Sequence, residues 1–186
     1  MSSEEVIKNC SSKMKKAFDI FAKELASLRT GRANPAMLDI IKVDVYGQKM
    51  LINQLGSIST PEPRLLSIQV WDQNNVALID AAIQKSNLGI NPQIDGQLMR
   101  IPIPSLNEER RKELKKIMSE LAEKARVSIR NIRREANDIL KKDFKDKKIG
   151  EDESKNSEKK IQNITDKQIE DLEKKLSEKE KEIMTV

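Results

Sequence analysis

Apolar residues near the start of the chain recur at spacings of three and four: Ile7, Cys10, Met14, Phe18, Phe21, Leu25 and Leu28. That period draws one stripe along a helix, so the pattern predicts a single amphipathic helix over residues 2–29. Ser2 with Glu5 supplies a capping box at its start. Thr30-Gly31 stops it, because glycine takes the left-handed conformation of a helix terminus without strain.

The period then shortens. In LDIIKVDVYG (Leu38–Gly47), Ile41, Val43 and Val45 alternate with Lys42 and Asp44, a strand signature. YGQK supplies a turn. MLINQL and LLSIQVW (Leu65–Trp71) read as further strands, separated by the turn-rich STPEP. Val76 to Leu88 reads as a short helix, stopped by Gly89 and Asn91-Pro92. QLMRIPIP (Gln97–Pro104) closes the region as an edge strand, because Pro102 has no N–H for a ladder.

Helical period returns at Ser105, where Ser105 and Glu108 form a second capping box. The stripe Leu114, Ile117, Leu121, Ala125, Ile129, Ile132, Ala136 and Leu140 runs to about Phe144. Roughly forty helical residues span about 60 Å, and such a helix must bury its stripe against comparable partners. Ile149-Gly150 makes a turn. Glu151–Glu153 then suits the positive end of a third helix, whose stripe is Ile161, Ile164, Ile169, Leu172, Leu176 and Ile183. A later start at Thr165 is the alternative. KDKKIGEDESKNSEKK is read as this turn with two solvated helix ends.

Three long helices with matching stripes predict a coiled-coil-like three-helix bundle. The first helix is remote in sequence from the other two, so the β-rich region is inserted between them. The expected fold class is α+β. Residues 1–30 and 105–186 form a discontinuous bundle, and residues 31–104 an inserted β/α/β domain. The chain passes between the two near Arg29–Arg32 and Pro102–Ser105, and a double connection of this kind behaves as a hinge.

Composition narrows the chemistry. Charged residues make up 35% and aromatics 3%, which suits long solvated helices more than a large aromatic core. The chain has no histidine, which removes the commonest general base and the usual zinc ligand. Neither GxxxxGK[ST] nor GxGxxG occurs, and no carboxylate pair stands out. A binding protein without cofactor or metal is expected, rather than an enzyme. The single cysteine, Cys10, lies on an apolar stripe and reads as a small core residue, not a reactive thiol. There is no signal-peptide pattern and no run of 18 apolar residues, so a cytoplasmic protein that does not contact membrane is expected.

Net charge is +5, yet residues 106–148 alone carry 15 basic and 9 acidic side chains. The surplus centres on ARVSIRNIRREAND (Ala125–Asp138). On a helical wheel at about 100° per residue, its apolar positions fill one arc of about 100°. Arg126, Arg130, Arg133, Arg134, Asn137 and Lys141 fill a second arc, centred about 120° away. Arg126–Arg130 and Arg130–Arg134 are like-charge pairs at i,i+4, which oppose helix stability. Glu123–Arg126 and Arg134–Asp138 offset part of that cost. One reading is a plain solvated face. The other is a phosphate-binding face, which arginine serves better than lysine. No aromatic residue on this helix offers a stacking platform, so contacts to phosphate and shape are expected rather than base reading.

Three stretches carry a resemblance: LRTGRANPAMLD (Leu28–Asp39), LGINPQIDGQLMRIPIPSLNEERRKEL (Leu88–Leu114) and ARVSIRNIRREAND. Together the chain resembles the bacterial ribosome recycling factors nearly end to end. The resemblance implies an L-shaped, hinged monomer whose three-helix bundle lies on large-subunit ribosomal RNA between the tRNA sites. It implies action after termination, with elongation factor G and GTP, to split the ribosome into subunits and release mRNA and tRNA. The family's RNA-contacting arginines match Arg130 and Arg133, with Arg126 and Arg134 beside them. Its hinge matches Arg29, Thr30, Gly31 and Arg32, and on the second strand Pro104 and Ser105. The mobile β domain would face the elongation factor and the small subunit. Ile132 stands where valine is expected in some relatives, a change without consequence. The rival from another class is a coiled-coil scaffold or adaptor that binds an acidic protein partner. A carboxylate-based hydrolase stands third.

Overall fold

The structure, a computed structural model, describes residues 1–185 of the 186. It is α+β and divides into two compact units. One comprises Met1–Leu25 and Lys115–Glu180. The other comprises Ala26–Leu114 and the chain from Lys181 onward. The seams between these units fall at 25/26, 114/115 and 180/181, inside the helices.

The first unit is built from α1 (Ser3–Ala26), α3 (Glu108–Lys145) and α4 (Glu151–Met184). The capping box forms as the sequence predicts. The Ser2 N–H donates to Glu5 Oε2 at 2.8 Å, and the Glu5 N–H to Ser2 Oγ at 3.2 Å. Burial follows the stripes: Cys10, Met14 and Phe21 on α1; Ala125, Ile129, Ala136 and Leu140 on α3; Ile161, Leu172 and Leu176 on α4. Val6, Met118 and Ala122 join this core although the predicted stripes omit them. Direction follows from polar contacts. Ser3 Oγ donates to Glu153 at 2.6 Å, and Lys13 pairs with Glu135 at 2.8 Å. So α1 runs parallel to α4 and antiparallel to α3.

Two details differ from expectation. The turn after α3 comes before Ile149-Gly150, and Lys147 takes the left-handed conformation in it, at φ 56°. Its N–H reaches Phe144 O at 3.0 Å, and the Lys148 N–H reaches Asp143 O at 2.8 Å, a Schellman pair that satisfies the last carbonyls. Helix α4 is continuous from Glu151, so Thr165 is mid-helix. Fully buried there, Thr165 donates to Ile161 O at 2.8 Å, which satisfies its hydroxyl locally.

The second unit holds two sheets and α2 (Val76–Lys85). Strands β1 (Lys42–Val45) and β2 (Gln48–Leu51) form a hairpin. Tyr46 and Gly47 turn it with φ of 50° and 82°, the mirror-image turn whose twist suits paired strands. The other sheet is antiparallel in the order β3-β4-β6-β5: Gly56–Glu62, Leu65–Val70, Leu98–Pro102 and Gln93–Asp95. Leu66, Ile68, Met99 and Ile101 are fully buried with Ile79 and Ile83 of α2.

Here the sequence reading needs correction. Most of STPEP is not a separator: Ser59–Glu62 form the outer half of strand β3, and only Pro63 belongs to the turn. Pro61 is tolerated because β3 lies at the sheet's edge and its pairing is irregular between Ser59 and Glu62. MLINQL is strand only to Leu51 and then turns through a 3-10 segment at Ile52–Gln54. The strand carrying Pro102 is not an edge strand. It lies between β4 and β5. Strand β5 pairs only with Leu98–Arg100, so at Pro102 one flank of β6 is already free. Helix α2 ends at Lys85, short of Leu88. Helix α3 begins at Glu108, and Asn107 rather than Ser105 caps it: Asn107 Oδ1 accepts the Arg110 N–H at 2.7 Å.

Candidate nucleic-acid interface

Helix α3 is 38 residues long without a break, about 57 Å at 1.5 Å per residue. One stripe is pinned in the core, so the arc beside it is held rigidly. Ile129 is fully buried and Ala136 is 5% exposed, while Arg130 and Arg134 between them are exposed.

The four arginines do not share one environment. Arg126 is tied down across the helix pair. Its Nε donates to Glu173 Oε1 at 2.7 Å, its Nη2 lies 2.6 Å from the same oxygen, and its Nη1 donates to Glu123 at 3.2 Å. Burial alone would lower its pKa, but the hydrogen bonds and charge of Glu173 and Glu123 outweigh that and leave it raised. Arg130 has only a 3.6 Å approach to Glu123, which Arg126 already occupies. Arg133 leans on Gln162 of α4 at 3.5 Å, the outer limit of a hydrogen bond. Arg134 makes no ion pair among the described residues, and the expected Arg134–Asp138 pair does not form. The arc therefore presents Arg130, Arg133 and Arg134 with donors to spare, braced by Arg126.

Sequence spacing identifies the Glu123–Arg126 pair but not Glu173 or Gln162. Both lie on α4, 47 and 29 residues from the arginines they meet. No local signal identifies such partners.

The other residues singled out from sequence lie together in the second unit. Gly31 has φ 82°, a conformation that glycine accepts readily. Thr30 is buried and donates from Oγ1 to Glu182 at 3.1 Å. Arg29 is half-buried. Burial lowers its pKa, and the nearby charge of Arg110 lowers it further. The Nε atoms of both arginines are buried without a hydrogen-bond partner. Arg32, Pro104 and Ser105 are exposed. The two chain segments are held through the β3–β4 turn: the Ala33 N–H donates to Pro63 O and the Ile103 N–H to Arg64 O, each at 2.7 Å.

Among the described residues no group of acidic, cysteine or histidine side chains could hold a metal. No helix there is long and apolar enough to cross a membrane. Cys10 is buried beside the Lys13–Glu135 pair, and burial pushes its thiol pKa up.

Comparison with known proteins is consistent in family and fold. The sequence model of the family described as "Ribosome recycling factor" matches residues 21–184. The ribosome-recycling factor of Syntrophomonas wolfei is 52% identical over 182 residues, 98% of this chain and 98% of that protein. A solution structure of the ribosome recycling factor has a TM-score of 0.79 at 43% identity, covering 100% of this chain and 99% of that one. A chain in models for the T. thermophilus ribosome recycling factor and the E. coli elongation factor G bound to the E. coli post-termination complex has a TM-score of 0.70 at 45% identity, covering 98% and 99%. With a family match over most of its length and close relatives matched end to end, the chain belongs to the ribosome recycling factor family.

Proposed function

We propose that the chain anchors on large-subunit ribosomal RNA through the α3 face. From there it acts with elongation factor G and GTP to split the post-termination ribosome into subunits, releasing mRNA and tRNA. The observation that carries this reading is the rigid arc of Arg130, Arg133 and Arg134, whose charges the protein itself leaves largely uncompensated. Guanidinium forks bind phosphate bidentately, and a stiff helix fixes their register. Arg126 positions the arc rather than meeting phosphate first, because two carboxylates already hold it.

The chain is not a catalyst in this scheme. It has no phosphate-binding loop for a nucleotide, so the GTPase supplies the energy and the factor acts as a monomeric, cytoplasmic lever. The bundle of residues 1–30 and 105–186 would hold the RNA. The domain of residues 31–104 would swing on Arg29, Thr30, Gly31, Arg32, Pro104 and Ser105. The left-handed Gly31 and the exposed Ser105, which lies outside helix and strand, support that reading.

Subunit splitting followed by light scattering tests the scheme, with elongation factor G and GTP present. Loss of splitting after Arg130→Ala with Arg133→Ala is expected; full activity would remove the RNA-anchor role. A disulfide engineered across the hinge should also block splitting, and unimpaired splitting would exclude hinge motion.

A further inference from the structure

The groove between α1 and α4 plays no part in the α3 face. Lys8 and Lys15 project into it from α1 and Lys160 from α4, with Ser11 and Ser12 on its wall, around an open space of about 520 Å³. Ile7 and Ile164, both half-buried, line its floor. The three lysines are exposed and form no ion pair among the described residues, whereas Lys13, Lys155 and Lys167 on the same helices pair with Glu135, Glu151 and Asp171. Glu4 is the one carboxylate lining the groove.

Lys8 and Lys15 sit two turns apart on one face of α1, about 10 Å along the axis. Lys160 faces them from across the groove. Three ammonium groups on flexible stems against one carboxylate, with hydroxyl donors between them, form a track for a chain of anions. Protein interfaces are depleted in lysine and rich in aromatic anchors; this groove has the opposite composition. Lysine and serine donors without aromatic platforms match contacts to phosphate and sugar.

We propose that the α1–α4 groove binds the phosphodiester backbone of a second RNA segment, without reading its sequence. Helix α4 separates this groove from the arginine face, whose ties run from α3 to α4. The bundle then bridges two RNA elements, and a factor held on both sides resists displacement when its other domain is driven. The proposal deepens the RNA-anchor reading and rests on it for the complex in which it is tested.

The test tethers an iron hydroxyl-radical source to the full chain at Ser12→Cys or, separately, at Lys141→Cys on the α3 arc; buried Cys10 stays in place, with the unsubstituted chain as labelling control. Each is bound to post-termination ribosomes and the RNA is mapped. RNA cuts from the Ser12 tether, at positions distinct from those cut from Lys141, are expected. Cuts from Lys141 alone, or cleavage from Ser12 confined to protein, overturn the groove proposal and leave the α3 reading standing; no RNA cuts from either overturns both. As a second readout, the variant Lys8→Ala/Lys15→Ala/Lys160→Ala, checked for native helicity, should reduce the slope of log affinity against log salt by about 2, at roughly 0.7 per lost phosphate contact. An unchanged slope overturns the proposal.

Discussion

Arg126→Ala is expected to cost stability and little RNA affinity, the reverse of Arg130→Ala. In the folded chain Arg126 meets Glu173 through Nε at 2.7 Å and Nη2 at 2.6 Å, and Glu123 through Nη1 at 3.2 Å. The arginine side chain is 21% exposed, but the two carboxylates are 48% and 56% exposed. Each pair is therefore scaled as a solvent-screened one, about 0.2–1 kcal/mol. Adding the packing of the arginine stem, the loss is about 1–2 kcal/mol. For a chain of this length that lowers the melting temperature by about 2–8 °C. Arg130, with one 3.6 Å approach to a carboxylate it shares with Arg126, should change stability by less than about 0.5 kcal/mol. Binding separates the two again. Arg130→Ala should flatten the salt dependence of large-subunit affinity by roughly 0.7–0.9 in slope, the release expected for one phosphate contact. Arg126→Ala should leave the slope nearly unchanged. Thermal melting by circular dichroism and sedimentation at several salt concentrations measure both quantities. An Arg126→Ala protein that melts normally and loses as much salt dependence as Arg130→Ala would refute the division of labour.

Ile129→Ala should cost about 2–5 kcal/mol in urea unfolding, because a fully buried side chain leaves a cavity; a neutral result would mean that α3 is not seated as described. Gly56→Ala should destabilise the β unit by about 1–3 kcal/mol, since its Cβ would stand 2.6 Å from the Gln69 carbonyl oxygen, a backbone atom that cannot step aside; an unchanged midpoint would contradict the β3–β4 register. Asn107→Ala should cost about 1 kcal/mol by removing the α3 cap, whereas Ser105→Ala should cost little. Cys10 should resist alkylation at neutral pH until the chain unfolds, because burial raises its thiol pKa and blocks access; rapid labelling of native protein would exclude a packed α1.

The helices were legible because their stripes are long and regular. Met14, Ile129 and Leu172 fall where a 3.6-residue period puts the core. Val6, Met118 and Ala122 escaped because the stripes are wider than one residue per turn, as a helix with two neighbours requires. The sheet was less legible. Strand β5 has three residues and no buried side chain, and β3 runs through a proline that only its edge position permits. Local chemistry also misplaced the α3 cap, since Ser105 and Asn107 are both good caps and the chain geometry decides between them. At the candidate site, the arginine arc was visible as a periodicity. Its division into braced and available guanidiniums was not, because Glu173 and Gln162 arrive from another helix.

Binding to isolated ribosomal large subunits at two salt concentrations tests the central claim most directly, with the unsubstituted chain beside Arg130→Ala/Arg133→Ala. The account predicts co-sedimentation that weakens as salt rises, and a double variant of normal helicity that binds more weakly and with a shallower salt dependence. Binding that ignores salt, or a double variant that binds like the unsubstituted chain, would contradict an anchor made of arginine and phosphate on α3.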